Sequence, residues 1–384
     1  MAESTRDIVL ETLRSLSRLE DDGPLVVSLY LDTRWGDGRR REAARLFVKN
    51  KIRQVLAVHP PEDGGADLFK DTEQIRRAVD EVLSPGSRHQ GRGLVVFAST
   101  ERQLWVAIPT PRPFENHLVV RRVPYLMPLA RMADDFASAL LCQVDSRSAR
   151  VLEFVHGGLA GQSVVDSPEV PGRHQQGGWS QMRYQRHVDW LREKHVREAG
   201  DVFVRLADRL PHAQLFISGP HEPVTWLRAM LPKRVLVREP TTLGIDSTCE
   251  LPGVVRAVLE GIEKRERNLE RENVSLTLQE ALSGGLAASG PGEVAIAANR
   301  GAILELLIHD DVPVSGWRCE CSLLLGAGLS PKQCPGCDRG TVPCDLGERL
   351  VEKVYAAGGA VEVVREDSRL RDIGGVAARL RFGV

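Results

Sequence analysis

Five cysteines lie close together between Cys319 and Cys344, near the C-terminal end of the chain. Cys319-x-Cys321 and Cys334-x-x-Cys337 are two closely spaced pairs, a pattern that suits one tetrahedral Zn²⁺ with four thiolate ligands. Because a one-residue gap is less usual than a two-residue gap, Cys344 is an alternative ligand. The pattern predicts a structural zinc site that is closed to substrate, with reduced thiols that hold no metal as the alternative.

Adjacent glycines, Gly177 and Gly178, stand within the basic stretch RHQQGGWSQMRYQRHVDW at 173–190. Glycine adopts backbone conformations that other residues avoid, so this stretch can form a loop that enters a narrow space. The residues that follow, 180–210, repeat apolar side chains at helical spacing, and Ser180 is the expected N-cap. Arginine-rich helices bind phosphates well, which predicts a nucleic-acid surface, whereas a solvated helix face is the alternative explanation of the charges.

The 384-residue chain has 42% hydrophobic and 27% charged residues, as expected of a globular protein with several cores. Its formal net charge of −1 excludes a general polyanion binder, so a nucleic-acid surface must be local. Basic stripes lie at 39–53 and 173–197. The N-terminal residues lack the apolar core of a signal peptide, and no apolar run reaches the ~20 residues of a membrane span. We therefore expect a cytoplasmic protein without a membrane partner.

Apolar patterns along the chain alternate between strand and helix periods, which predicts an α/β protein. Strands are predicted at 25–32, 92–99, 104–110, 213–220 and 234–239, and helices at 39–58, 72–83, 180–210 and 254–282. Two apolar runs on either side of Asp145–Ser148 predict a hairpin before the glycine loop. The isolated Cys142 and Cys249 are interpreted as buried apolar side chains.

The stretch GGWSQMRYQR at 177–186 resembles the archaeo-eukaryotic class-I peptide release factor family, in its bacterial, Pelota-related branch. That family places Gly-Gly-Gln before Ser-x-x-Arg-Phe-x-Arg at the start of a long helix. GLVVFAS, AQLFISGP and the terminal GGVAARLRF are also similar to family segments, so the resemblance covers nearly the whole chain. It implies a three-domain α/β architecture: an N-terminal domain, a central domain with the Gly-Gly loop and long basic helix, and a C-terminal domain with a cysteine-rich zinc insertion. The predicted domains are 1–130, 131–252 and 253–384.

The resemblance implies a ribosome-binding translation factor that hydrolyses the ester bond of peptidyl-tRNA. Gly177 and Gly178 would carry the loop into an RNA-lined cavity, where a glutamine helps to orient water. Here Trp179 stands where the family has that glutamine, so Gln181 is the catalytic residue predicted in its place. The alternative is a non-catalytic ribosome-binding or hibernation factor that occupies the tRNA site and stacks Trp179 on a base. The RNA-binding residues implied are Trp179, Arg183, Arg186 and Arg192.

Stop-codon reading is not implied, because the two codon-reading motifs of the family do not match. Lys49–Arg53, within a predicted helix, stands where the family has an Asn-Ile-Lys-Ser loop, and Tyr125-Leu126-Met127 lacks the cysteine of the second motif. The resemblance therefore favours codon-independent rescue. The implied partners are the ribosome with its rRNA and peptidyl-tRNA, and a translational GTPase is a further candidate.

Overall fold

The computed structural model describes residues 2–34, 38–60, 66–84, 87, 91–134, 138–155, 158–166, 179–246, 249–326 and 333–384. For 2–5, 38 and 179–185 the backbone alone is described. The chain forms two compact units: residues 3–134 together with 270–384 make the first, and residues 135–269 make the second. Among the described residues, no helix has the length and apolar character that a bilayer crossing requires.

Residues 2–134 of the chain form an antiparallel sheet with helices packed on it. The elements are α1 (Ala2–Leu16), β1 (Val26–Asp32), α2 (Gly38–Val58), α3 (Ala66–Val82), β2 (Gly93–Ser99), β3 (Leu104–Thr110), β4 (His117–Arg121) and α4 (Met127–Asp134). The strand order is β3-β2-β1-β4, so β1 and β2 are central and almost wholly buried, whereas the edge strand β3 alternates. Val48, Ile52 and Ile75 of α2 and α3 cover one face of the sheet. The strands and helices predicted in this region are confirmed.

The second unit is built on a mixed sheet. Its elements, with the helix that leads out of it, are β5 (Ser138–Val144), β6 (Ser148–Val155), β7 (Gly158–Asp166), α5 (Trp179–Arg209), β8 (Gln214–Ser218), α6 (His221–Met230), α7 (Lys233–Leu236), β9 (Thr241–Leu243) and α8 (Leu251–Leu282). The strand order is β7-β6-β5-β8-β9, in which β5, β8 and β9 are parallel. Helices α5 and α6 cover one face and α8 covers the other. Cys142 is buried in this core, as predicted, and Cys249 is half-buried.

The predicted hairpin at Asp145–Ser148 is confirmed by the pairing of β5 with β6. The carboxylate of Asp145 accepts the backbone N–H groups of Arg147 and Ser148 at 2.7 and 2.8 Å. An aspartate that accepts such bonds fixes a tight turn, which is why this polar tetrapeptide between apolar runs predicts a hairpin.

The strand predicted at 234–239 is wrong, because the short helix α7 begins there and the strand β9 follows it. Pro232 precedes α7 with a φ of −69°, which its ring fixes. The guanidinium of Arg238 donates to the carbonyl oxygens of Ala207 and Leu210 at 2.8 and 2.9 Å. Carbonyls at the C-terminal end of a helix such as α5 have no intrahelical partners. This tertiary contact therefore outweighs the local strand pattern.

Residues 270–384 complete the first unit, whose boundary falls within α8. The elements are β10 (Ala287–Ser289), α9 (Gly290–Asn299), β11 (Ile303–His309), β12 (Ser315–Cys319), β13 (Leu324–Gly326), β14 (Thr341–Asp345), α10 (Leu346–Ala356), β15 (Ala360–Val364), α11 (Ser368–Asp372) and β16 (Val376–Leu380). One sheet has the order β10-β16-β11-β15, and a smaller sheet has the order β13-β12-β14. The fold class is therefore α/β with several sheets, as predicted, whereas the three domain boundaries stay a prediction.

Helix α4 and ion pairs hold residues 3–134 against residues 270–384 within the first unit. The apolar side chains of α4 are buried, and the helix packs against β15 and α10. Nε of Arg131 lies 2.7 Å from the carboxylate of Asp310, and Arg121 pairs with Glu348. Burial raises the pKa of Glu348 in spite of this pairing. These two sequence-distant segments therefore form one compact body.

Glu362 on β15 makes the stability of the first unit depend on pH. Burial raises its pKa from 4.5 to about 7, although a hydrogen bond from the Asn273 side-chain amide at 2.8 Å opposes the shift. The carboxylates of Glu305 and Glu270 raise the pKa further. Because the folded state binds this proton more tightly than the unfolded chain, the stabilisation is complete below pH 4.5 and is lost as pH rises through about 7.

Replacing Glu362 by glutamine should therefore raise the unfolding temperature at pH 8 by about 2 °C or more and change it little below pH 4.5. Glutamine keeps an oxygen that accepts from Asn273 and carries no charge. Thermal unfolding at pH 4 and pH 8 measures the effect, with Glu272→Gln at an exposed position of α8 as the control. Equal shifts at the two pH values would contradict a titration of Glu362.

Candidate functional sites

Four cysteines converge beside the small sheet of β12, β13 and β14. Cys319 ends β12, Cys321 follows in the next turn, and Cys334 and Cys337 come from the segment before β14. Their sulfur atoms all lie within 4.8 Å of one another, with Cys319 to Cys337 at 3.3 Å and Cys321 to Cys334 at 3.6 Å. Tetrahedral zinc, with bonds to sulfur of about 2.3 Å, separates its ligands by about 3.8 Å. The four thiols are therefore close enough to hold one metal ion.

The backbone turns around the cysteines favour metal binding. The residues that follow the two pairs, Ser322 and Asp338, have left-handed backbones with φ of 65° and 59°. The backbone N–H of Leu323, together with neighbouring thiols, lowers the pKa of Cys321 to about 7. Hydrogen-bond donors of this kind favour the thiolate, which is the form of cysteine that binds metal.

Cys344 stands outside this cluster. It lies on β14 opposite Gly316 of β12, and burial raises the pKa of its thiol. In the part of the chain that the structure describes, the group of sulfur atoms that meet consists of the four predicted ligands. Cys319 and Cys334 are buried, as is usual for a structural site. The donor set is therefore the two short pairs, without Cys344.

The predicted catalytic loop meets the structure only at its C-terminal side, since Gly177 and Gly178 lie outside the described residues. Helix α5 begins directly after them at Trp179 and is 31 residues long, about 46 Å. Ser180 is thus inside the first turn, and the prediction that it caps the helix is wrong by one residue. Gln181 lies in this first turn, as predicted. The catalytic and RNA-binding roles of these residues stay predictions.

An apolar face holds α5 on the sheet of the second unit. Val196, Ala199 and Phe203 are wholly buried in the core with β5, β6 and β8. Nearer the N-terminal end of α5, Val188 and Leu191 are buried together in a separate small cluster. The remaining positions of the described part of α5 carry most of its charged side chains, so the basic surface of the helix faces away from its own sheet.

The predicted RNA-binding arginines of α5 differ in their surroundings. Arg186 is exposed, whereas the Arg192 side chain is only 11% exposed and lies 3.6 Å from the carboxylate of Asp189. An exposed guanidinium can reach a phosphate without rearrangement, but Arg192 must first leave its partly buried position. The geometry favours Arg186 over Arg192 as a contact to RNA, and the side chain of Arg183 lies outside the described residues.

Comparison with known proteins gives this arrangement a family. Residues 124–267 match the model of bacterial archaeo-eukaryotic release factor family 10. The chain is 28% identical to peptide chain release factor subunit 1 of Archaeoglobus fulgidus over 331 residues, which cover 76% of this chain and 77% of that protein. The chain belongs to a release-factor-like family. The family predicted from GGWSQMRYQR is thereby confirmed.

Further relatives extend the similarity over the whole release-factor-like chain. Peptide chain release factor subunit 1 of Methanocaldococcus jannaschii is 23% identical over 421 residues, covering 97% of this chain and 96% of that protein. A ribosome-bound archaeal Pelota is 16% identical, covers 98% of this chain and 94% of that chain, and has a TM-score of 0.41. At this TM-score the structural similarity carries no functional argument, which rests on the sequence relationship and on the motif.

Two residues of α5 were not among the site residues predicted from the sequence of this release-factor-like chain. Trp190 is 56% exposed, and His195 is wholly buried with no hydrogen-bond partner for either ring nitrogen among the described residues. An aromatic residue off the apolar stripe of Val188 and Leu191 was the signal available for Trp190. His195 falls on that stripe, so its burial was also predictable from helical spacing.

Proposed function

We propose that this chain is a ribosome-binding translation factor that releases the peptide from peptidyl-tRNA independently of the codon. The observation that carries the proposal is the Gly-Gly dipeptide immediately before the 31-residue helix α5, in the sequence order of the release-factor motif. The relatives described above carry the name peptide chain release factor subunit 1, which supports the same function. Ribosome binding is the broader part of the proposal, and ester hydrolysis is the narrower part.

In the proposed reaction, water attacks the ester carbonyl carbon of peptidyl-tRNA. The bond from that carbon to the ribose oxygen breaks, the ribose oxygen takes a proton, and the peptide leaves as a carboxylic acid. Gly177 and Gly178 would let the backbone approach the ester without side-chain collision. Gln181, in the first turn of α5, would hold the water through its side-chain amide. Ribosomal RNA would supply much of the surrounding electrostatic field.

A second function has one observation in its favour, the tryptophan at position 179 where the family has glutamine. A factor without that glutamine could occupy the tRNA site of an idle ribosome and hydrolyse nothing. Trp179 would then stack on an RNA base and hold the loop in place. The two functions share ribosome binding and differ only in whether peptide is released.

The proposal includes zinc at the four-cysteine site. The thiolates would hold it as a structural ion beside the small sheet, in the first unit, whereas α5 belongs to the second unit. Zinc bound by four thiolates keeps no open position for a substrate, so we assign it no part in hydrolysis. A translational GTPase is a proposed partner, and a factor that acts on translating ribosomes would work in the cytoplasm.

Ribosome co-sedimentation followed by a release assay tests the proposal. Purified full-length protein is sedimented with ribosomes and then incubated with stalled complexes that carry a labelled peptide on tRNA. Binding with release of free peptide supports hydrolysis, and binding without release selects the occupancy function. An absence of binding at low salt would contradict both functions. Complexes stalled on a sense codon and on a stop codon should release equally, because codon-independent action is proposed.

The arginines of α5 should make ribosome binding sensitive to salt. Replacing Arg183, Arg186 and Arg192 together by alanine should weaken binding and flatten its salt dependence, by roughly one unit of slope for each phosphate that is no longer bound. Arg186→Ala alone should account for more of the change than Arg192→Ala, since Arg192 is mostly buried. Sedimentation at several salt concentrations measures the slopes, with Arg209→Ala at the far end of α5 as the control. If the triple variant binds like the parent at every salt concentration, the basic face is only a solvated surface.

A further inference from the structure

We propose that Trp190, with His187, Lys194 and Arg197 beside it, is a stacking site for one unpaired RNA base. The inference deepens the proposed function and rests on its RNA-binding part, but it concerns a surface of α5 separate from the glycine loop. Trp190 lies eleven residues into α5, about 16 Å along the helix from its first residue. We call these four residues the Trp190 patch.

The Trp190 patch is a continuous stripe on one face of the helix. Its members follow one another at spacings of three and four residues, which places them side by side along α5. The imidazole of His187 stacks on the indole, with ring centres 5.9 Å apart and planes 16° apart. On the C-terminal side of the patch, Nζ of Lys194 lies 5.8 Å from the centre of the same ring. The indole is thus held between two groups that carry or can acquire positive charge.

Packing in the second unit does not explain this tryptophan. The neighbouring Val188 and Leu191 are buried and attach the helix, whereas Trp190 is 56% exposed. A large aromatic surface left in water, and oriented by His187 and Lys194, is available to a flat partner. Aromatic side chains flanked by cations are the usual means of holding single-stranded nucleic acid, because every base can stack and every phosphate can pair.

The charges near the patch favour an anionic partner. Lys194 lies 3.9 Å from Glu198 and Arg197 lies 3.4 Å from Glu193, and all four side chains are half-exposed or more. Ion pairs of this kind contribute little to stability, so the two cations can exchange carboxylate for phosphate at small cost. An unpaired nucleotide offers a base for Trp190 and phosphates for Lys194 and Arg197 in one molecule. We therefore favour RNA over an acidic protein as the partner.

Binding of a single-stranded oligouridylate of about twelve nucleotides to the full-length protein tests the Trp190 patch. Trp190→Ala should weaken binding by about ten-fold or more, as expected when one base can no longer stack, and Trp190→Phe should restore most of it. The slope of affinity against salt should stay unchanged in Trp190→Ala and fall in the double variant of Lys194→Ala with Arg197→Ala. Trp105→Ala is the matched control, since Trp105 is a 38% exposed tryptophan on β3 of the other unit.

Several outcomes would overturn the stacking site. One is parental affinity in Trp190→Ala, and another is an equal loss in Trp105→Ala. Equal affinity for a duplex of the same length would show that an unpaired base is not needed. Binding of a polyglutamate peptide that depends on Trp190, while oligouridylate binding does not, would assign the patch to an acidic protein instead. Thermal unfolding of each variant identifies a loss that comes from misfolding, and Trp190→Phe then decides, because it keeps an aromatic side chain at the same position.

The peptide-release assay separates this inference from the proposed function. If the parent binds oligouridylate through Trp190 but releases no peptide, the hydrolytic function fails and the stacking site stands. If the parent releases peptide at the same rate with and without Trp190, and oligouridylate affinity is also unchanged, the stacking site fails and the hydrolytic function stands.

Discussion

A Gly178→Ala variant should lose peptide release while its affinity for ribosomes stays close to that of the parent. The added methyl group restricts the backbone at the point where the motif requires the freedom of glycine. Near a reacting ester, a displacement of about 1 Å costs about 10²-fold in rate, so a small change in the loop removes the chemistry. The charged side chains proposed to anchor the protein lie on α5, so binding depends on other atoms.

The same assay distinguishes the two proposed functions through neighbouring residues. Gln181→Ala should lower the rate of release by about 10²-fold or more if its amide positions the attacking water, and Trp179→Ala should have a smaller effect. Single-turnover release at saturating factor keeps binding out of the measured rate. Gln185→Ala, one turn further along α5, is the matched control. If Trp179→Ala weakens ribosome binding and Gln181→Ala changes nothing, the loop is an anchor and the protein occupies the ribosome without hydrolysis.

The long elements of this fold could be predicted from the sequence, because a long amphipathic pattern has one way to bury its apolar face. The predicted helices at 39–58 and 180–210 agree with α2 and α5 to within one residue at each end. The strand expected at 234–239 could not be corrected from local pattern. Its actual conformation depends on Arg238, whose guanidinium reaches Leu210, far away in sequence. Similarly, the pairing of Arg131 with Asp310 in the first unit has no sequence signal.

The candidate sites show the same division between spacing and packing. Two cysteine pairs at short spacing predict a metal site, but the exclusion of Cys344 depends on the pairing of β14 with β12. On α5, Trp190 is exposed and Arg192 is mostly buried although they stand two residues apart. Composition makes the arginine the more obvious surface residue. Only the rotation of the helix about its axis, which the buried Val188 and Leu191 fix, reverses that expectation.

Replacing Cys334 and Cys337 together by serine should remove the metal and lower the unfolding temperature of the first unit by about 10 °C or more. Metal affinity and folding are coupled, because the unfolded chain has no preformed site, so the binding free energy contributes directly to stability. The effect should be confined to the unit that contains the cysteines, and the sheet that carries α5 should unfold as in the parent. Metal analysis of purified protein should give about one zinc per chain for the parent.

Cys344→Ser is the control that makes this result specific. Cys344 lies on β14 next to the cluster, so its replacement disturbs the same small sheet but removes none of the four sulfur atoms that meet. If the four-cysteine site holds zinc, Cys344→Ser keeps the metal and the double variant loses it. A chelator should reduce the stability of the parent and of Cys344→Ser alike, and should not affect the double variant. A parent that folds fully without bound metal, and that chelator leaves unchanged, would mean that the four thiols remain reduced and unliganded. The convergence of four sulfur atoms to within 4.8 Å would then be a product of the turns at Ser322 and Asp338 alone, and the insertion would owe its stability to its own sheet.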